Sequence, residues 1–282
     1  MLWLLSIGFL IWLVVIFYWL WQKVTNQRPE SYPTLQNRQK IYSSKKTLVC
    51  FGDSNTHGNV SYNWVSDLGI IFQDLQVLNA GVNSDLTYSL LQRIDDVIAC
   101  QPDFITILIG TNDVSASVSE ELESSFKQIN RIPKDMKPDF DLFKKNYQEI
   151  ILRLKQETKA KIALISLPVM SEDLKHEANI KADKYSGYIK ELAQTQKLTY
   201  LPLREKEKEY LGANPRPLKH TFDETYKLLI FSIINHYILG KDWDYTSKKH
   251  GYQLTPDNIH LNSVSGGMLR DLVKGFIKTT QK

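Results

Sequence analysis

Four short polar clusters hold side chains that could do chemistry: Gly52-Asp53-Ser54-Asn55-Thr56-His57-Gly58, Asn79-Ala80-Gly81-Val82-Asn83-Ser84, Gly110-Thr111-Asn112-Asp113 and Asp257-Asn258-Ile259-His260-Leu261-Asn262. In the last, a spacing of three lets both side chains share one side of a turn, so Asp257 can hold the His260 ring and stabilise an imidazolium. A hydroxyl facing that ring would become a nucleophile, and Ser54 is the hydroxyl this pattern offers. Gly81 would let the backbone approach a substrate and offer its N–H, and the Asn112 amide could aim into the same cleft beside a developing oxyanion. Taken singly, each cluster has a plainer reading. Ser54 could be a helix N-cap, the Gly81 cluster a turn, Gly110-Thr111-Asn112 a common exit from a strand, and Asp-x-x-His a satisfied surface pair. His57, three residues after Ser54, is a second candidate base; His176, His220, His236 and His250 are read as dispensable for chemistry.

Such groups need elements to carry them. Short apolar runs ended by turn residues recur at Thr47 to Phe51, Val77 to Asn79, Phe104 to Ile109, Ile162 to Leu167 and Thr199 to Leu203, the pattern of buried strands. Helical spacing marks Tyr88 to Cys100, Phe143 to Leu154, Tyr185 to Ala193 and Val264 to Ile277. Strands alternating with helices indicate an α/β fold with a parallel sheet covered on both faces, and in such a sheet functional groups collect at the carboxyl ends of the strands. The four clusters fall at such places. A stretch at about 205–255 breaks the rhythm. Within it, Tyr226 to Leu239 is an apolar run too short to span a bilayer, and is expected either to wall the cleft as a lid or acyl-chain site, or to pack on the flank of the sheet.

The N-terminus differs from the rest. From Leu2 to Trp21 there is no charge, and about 20 residues at about 1.5 Å each would span the roughly 30 Å of a bilayer core. The expectation is a transmembrane anchor at 1–22, with Tyr18, Trp19 and Trp21 at the interface, a linker at 23–46 and the main domain at 47–282. A cleaved signal peptide fits less well, because no basic residue precedes the run and no small-x-small site follows it. Lys23, Arg28, Arg38, Lys40, Lys45 and Lys46 against Glu30 place the domain on the cytoplasmic side by the positive-inside rule.

Composition excludes other classes. Over 282 residues, 35 basic against 31 acidic side chains leave +4, spread without a basic stripe, so no nucleic-acid partner is expected. Only Cys50 and Cys100 are present, both in apolar surroundings, which speaks against a disulfide framework or a zinc site.

Taken together and in order, Gly52-Asp53-Ser54, Gly81, Gly110-Thr111-Asn112-Asp113 and Asp257-x-x-His260 resemble the four blocks of the SGNH or GDSL hydrolases, over about Thr47 to Lys278. The resemblance implies a three-layer, flavodoxin-like sandwich with a mostly parallel sheet. It implies a serine esterase in which Ser54, Asp257 and His260 are the triad and the Ser54 N–H, Gly81 N–H and Asn112 side chain are the oxyanion hole, with no cofactor and no metal. Asn55 stands where the family name has Leu, and the stretch before Asp257 is a departure. The expected substrate is a small-molecule, lipid or glycan ester. The alternatives are an O-acyltransferase on envelope glycans and a catalytically silent, membrane-tethered binding domain. The α/β-hydrolase elbow, Gly-x-Ser-x-Gly, does not match Gly52-Asp53-Ser54-Asn55-Thr56.

Overall fold

Along the central strands, alternate side chains go to opposite faces, and each face finds its own helices. The computed structural model describes residues 2–34 and 45–281, with the side chains of residues 2–10 and 13 outside that description. Strands β1 (Lys46–Gly52), β2 (Leu75–Gly81), β3 (Phe104–Leu108), β4 (Lys161–Ile165) and β5 (Thr199–Leu201) form one parallel sheet in the order β2-β1-β3-β4-β5. After the N-terminal helix α1 (Leu2–Thr25), the connections carry α2 (Ser54–His57), α3 (Trp64–Ile71), α4 (Thr87–Gln92), α5 (Ile94–Ile98), α6 (Thr111–Val118), α7 (Glu120–Gln128), α8 (Phe140–Glu157) and α9 (Glu177–Thr195). Beyond β5 come α10 (Leu203–Ala213), a 3-10 turn at Phe222–Glu224, α11 (Thr225–Tyr237), α12 (Trp243–His250) and α13 (Ser263–Thr280).

On one face Val49, Phe51, Ile105, Ile107, Ile162 and Leu164 pack against α4 to α9. On the other, Leu48, Cys50, Phe104, Leu108, Ala163 and Ile165 meet Trp64 and Leu68 of α3 and Leu269, Val273 and Phe276 of α13. This is the expected α/β arrangement of a parallel sheet between helical layers. Both cysteines are buried.

β1 lies between β2 and β3, so the chain leaves it toward one side and later returns on the other. The carboxyl ends of β1 and β3 therefore diverge into a crevice, where side chains from separate loops can meet. Gly52 is paired with both Gly81 and Leu108 there. A Cβ on Gly81 would sit 2.1 Å from the His57 nitrogen and 2.6 Å from its Cα, so α2 can lie against the end of β2 only because that side chain is missing.

The expected helix at Tyr88 to Cys100 is two helices. Arg93, at φ −119° and ψ 16°, ends α4 and starts α5, and its side chain turns inward to bind backbone carbonyls.

The expected membrane anchor, and the membrane localisation and cytoplasmic orientation built on it, are overturned: among the described residues no helix is long and apolar enough to cross a membrane. The segment is nonetheless helical, from Leu2 to Thr25. Its last turn is polar and docked on the domain. The carbonyls of Lys23, Val24 and Thr25, which a helix end leaves unpaired, accept hydrogen bonds from Asn59 Nδ2 (3.0 Å), Asn83 Nδ2 (2.7 Å) and Arg131 Nη2 (2.7 Å). Trp19 meets Tyr237 edge to face, with the Lys23 ammonium over both rings. The helix thus runs past residue 22. Beyond it Tyr32 is buried against the domain, its hydroxyl 2.7 Å from Asp96 Oδ2. The middle of the expected linker, residues 35–44, with Arg38 and Lys40, lies outside the described residues.

Gly81→Ala is expected to destabilise the fold by about 1–3 kcal/mol, because the Cβ meets backbone that cannot move aside. Gly187→Ala, exposed on α9 with nothing within 4 Å of the new Cβ, should leave stability unchanged or raise it slightly. Denaturant unfolding of both variants checks this; equal effects would contradict the close-packing role of Gly81.

Candidate active site

The Gly52-Asp53 exit from β1 leads straight into the short helix α2. Asp53 caps it, with Oδ1 accepting the Asn55 N–H at 2.9 Å, and Gly58 closes it at φ +82°. As the first residue of α2, Ser54 has an N–H with no acceptor one helical turn back. The turn before α13 supplies the other half. Asp257 Oδ1 accepts the N–H groups of Ile259 (3.2 Å) and His260 (3.0 Å), which curls the chain so that Oδ2 lies 2.8 Å from His260 Nδ1. His260 Nε2 is 2.9 Å from Ser54 Oγ. The structure therefore joins Ser54, His260 and Asp257 in one hydrogen-bonded chain, with Ser54 6% exposed, His260 3% and Asp257 0%. Acceptance by Asp257 holds the Nδ1 proton in place and leaves Nε2 to accept from the hydroxyl.

Residues to which the sequence patterns gave no role hold these halves together. Asn55 Nδ2 donates to Ile259 O (2.9 Å), the Ser61 hydroxyl donates to Asn55 Oδ1 (3.1 Å) and accepts from the Leu261 N–H (2.9 Å), and the Tyr62 N–H donates to Leu261 O (2.8 Å). Asn258 has φ +81°, a conformation that Asn tolerates better than most residues. Its amide donates to Thr221 O and Thr225 Oγ1, its carbonyl accepts from the Ser171 N–H, and Pro256 O accepts from Ser232 Oγ and lies 2.6 Å from His250 Nδ1. The departure at 205–255 thus braces the turn that carries Asp257 and His260. Thr225, Leu228, Ser232 and Asn235 of α11 are buried, while Tyr226, Ile230, Phe231 and Ile234 face outward. The only sequence hint of this brace was the position of the stretch just before the turn.

The expected oxyanion donors divide. Asn112, at the start of α6, is buried and spends one Nδ2 hydrogen on Asp85 O (2.9 Å), leaving the second free to donate. The Gly81 N–H, by contrast, is already donated to Asn79 Oδ1 at 2.9 Å, and Asn79 Nδ2 donates to His57 O. Gly81 serves close packing, which corrects its expected role as a donor. In the same loop Ser84 has φ +64°, and its N–H makes no hydrogen bond among the described residues. A serine in the left-handed region gives no signal in a sequence, where glycine is the residue that marks it.

Burial sets the charge states around the site. Asp53 is fully buried beside Ser54, which pushes its carboxyl up to about 7 against the opposing Asn55 N–H; its Oδ2 has no partner among the described residues. Burial raises Asp113 to about 6 although Thr87 donates to it from both N–H and Oγ1. His57 is buried beside Gly81, its ring lowered to about 4 by burial and so neutral near pH 7. No bond joins it to Ser54. No cluster of three or more His, Cys, Asp and Glu side chains suited to a metal forms among the described residues.

A model of the GDSL-like Lipase/Acylhydrolase family matches residues 50–263. No curated protein matches the chain. Among solved structures it is similar to the acetyl xylan esterase AlAXEase, at 20% identity and TM-score 0.58, over 82% of this chain and 99% of that one. It is also similar to Axe2, an acetylxylan esterase from Geobacillus stearothermophilus, at 18% identity and TM-score 0.55, over 83% and 94%. LAE5, an alpha/beta hydrolase enzyme from the metagenome of Lake Arreo, Spain, follows at 16% and 0.56, over 83% and 95%. At these identities the likeness shows the fold. For Axe2, further structures are described as catalytic mutants of a serine, an aspartate and a histidine, the last two three positions apart in that chain.

The raised Asp53 carboxyl has a stability signature. Between its unfolded value near 4 and its folded value of about 7, the native state holds a proton that the unfolded chain has lost, so this group's contribution falls as pH rises through that window. Asp53→Asn keeps the cap acceptor and removes the titration. Its stability relative to the parent, measured as the difference in unfolding free energy, should therefore be greater at pH 8 than at pH 5; the same difference at both pH values would show that Asp53 does not bury a charge.

Proposed function

The chain belongs to the GDSL-like lipase/acylhydrolase family and is an ester-cleaving hydrolase, and from that premise we propose that Ser54 is its nucleophile, His260 its proton carrier and Asp257 the carboxylate that orients the ring. The observation that carries this reading is the chain Ser54 Oγ to His260 Nε2 (2.9 Å) and His260 Nδ1 to Asp257 Oδ2 (2.8 Å). The Axe2 variants described as catalytic mutants change the same three residue types, two of them at the same spacing.

His260 Nε2 takes the Ser54 proton as Oγ attacks the ester carbonyl. The tetrahedral oxyanion accepts from the Ser54 N–H, the free Nδ2 hydrogen of Asn112 and the Ser84 N–H. Ser84 takes the part first assigned to Gly81. Collapse expels the alcohol, which receives the proton from His260, and a water activated by the same nitrogen then hydrolyses the acyl-enzyme.

The substrate reading is a short acyl group, acetyl, carried by a carbohydrate hydroxyl. It rests on the acetyl xylan esterase description of AlAXEase and Axe2, whose fold this chain shares.

The test is kinetics on the full chain with acetyl and octanoyl esters, including acetylated xylooligosaccharides. Ser54→Ala and His260→Ala should each lower kcat by roughly 10⁴-fold or more without changing the thermal midpoint. Asn112→Ala should lower it about 100- to 1000-fold with KM little changed. Acetyl esters should exceed octanoyl esters in kcat/KM. Activity surviving in Ser54→Ala overturns the nucleophile assignment, and a preference for octanoyl esters overturns the substrate reading.

A further inference from the structure

We propose that Arg93 is a positioning residue for the ester-cleaving reaction, tying the end of the nucleophile's strand to the loop that holds the oxyanion donors; this rests on the reading of Ser54 given above. Its guanidinium donates from Nη2 to Gly52 O (2.8 Å), from Nη1 to Ala80 O (2.8 Å) and from Nε to Asp85 Oδ2 (2.6 Å). The side chain is only 10% exposed and Asp85 only 2%, and the group lies 4.9 Å over the Phe51 ring.

Each acceptor governs a different part of the site. Gly52 is two residues before Ser54, and its carbonyl also accepts the Val82 N–H at 3.1 Å. Ala80 is the last residue but one of β2, next to Gly81. Asp85 directly follows Ser84, and its own carbonyl receives the Asn112 amide. One planar side chain thus sets the distance between the nucleophile's turn and two of the three donors, and the break between α4 and α5 is what lets Arg93 reach inward. Arg131 braces the same loop from outside, donating to Asn83 O (3.0 Å) with its Nε 3.7 Å from Asp85 Oδ1. Only a guanidinium offers three divergent donor directions in a plane. A lysine at this position could reach one acceptor, or at most two, so the charge alone does not preserve the geometry.

The experiment compares Arg93→Ala, Arg93→Lys and Asp85→Asn with the parent and with Ser54→Ala in the full chain, measuring kcat, KM and thermal midpoint on an acetyl ester. Loosening the loop displaces donors from the oxyanion rather than from the ground-state ester, so kcat should fall about 100-fold in Arg93→Ala with KM within about threefold. Arg93→Lys should be nearly as poor. Millimolar guanidinium ion, added to Arg93→Ala, should restore part of kcat and do nothing for Ser54→Ala. Unchanged kcat, a loss confined to KM, or a lowered thermal midpoint with normal kcat overturns the inference. If Arg93→Ala does not fold, the near-isosteric Asp85→Asn decides by the same split. An inactive Ser54→Ala beside a fully active Arg93→Ala rejects this inference alone, whereas an active Ser54→Ala rejects the reading beneath it.

Discussion

A single imidazole joins two parts of the chain that are 206 positions apart, and the rest of the structure serves that junction. The bond between His260 and Ser54 has value only if both ends are held more tightly than the bond itself could hold them. Asp257 does this at one end by accepting two backbone N–H groups and the ring. Asp53 and Gly58 do it at the other by confining α2 to four residues. Between them Asn55, Ser61, Tyr62 and the 259–261 backbone form a second, parallel seam in which each buried polar group has its partner. The seam carries no reactive group, and its bonds keep the reactive one short.

Sheet order explains why the junction falls where it does. Because β1 is flanked by β2 and β3, the loops after all three strands open toward one crevice, and Ser54, Ser84 and Asn112 come from successive loops around it. Close approach there requires Gly52 and Gly81 to lack side chains. The departure at 205–255 answers a related need on the far side. Its Thr221, Thr225, Ser232 and His250 contact Pro256 and Asn258, so the turn that bears His260 is braced from outside as it is sewn from inside.

The parts of this that show in the sequence are those written in local pattern. Apolar runs mark all five strands because a buried parallel strand needs apolar residues on both faces, and Asp257-x-x-His260 is visible because the turn it makes is only three residues long. What stays hidden depends on partners distant in the chain. Arg93 sits in an unbroken helical pattern and leaves it only because Gly52, Ala80 and Asp85 await its guanidinium. Gly81 looks like a donor until Asn79 Oδ1 is seen to hold its N–H. The run from Leu2 to Trp21 carries no charge and so suggests a span, yet the helix it opens continues to Thr25 and ends on Asn59, Asn83 and Arg131, three side chains that no window along the sequence would connect with it.

The central claim is that one hydroxyl, of all those in the chain, is made nucleophilic by its place in this junction. Treating the full chain with a fluorophosphonate and mapping the adduct by peptide mass spectrometry tests it most directly. The account predicts stoichiometric modification at Ser54 alone, abolished when His260 is replaced by alanine. Modification at another residue, or labelling of Ser54 that persists without His260, would contradict it.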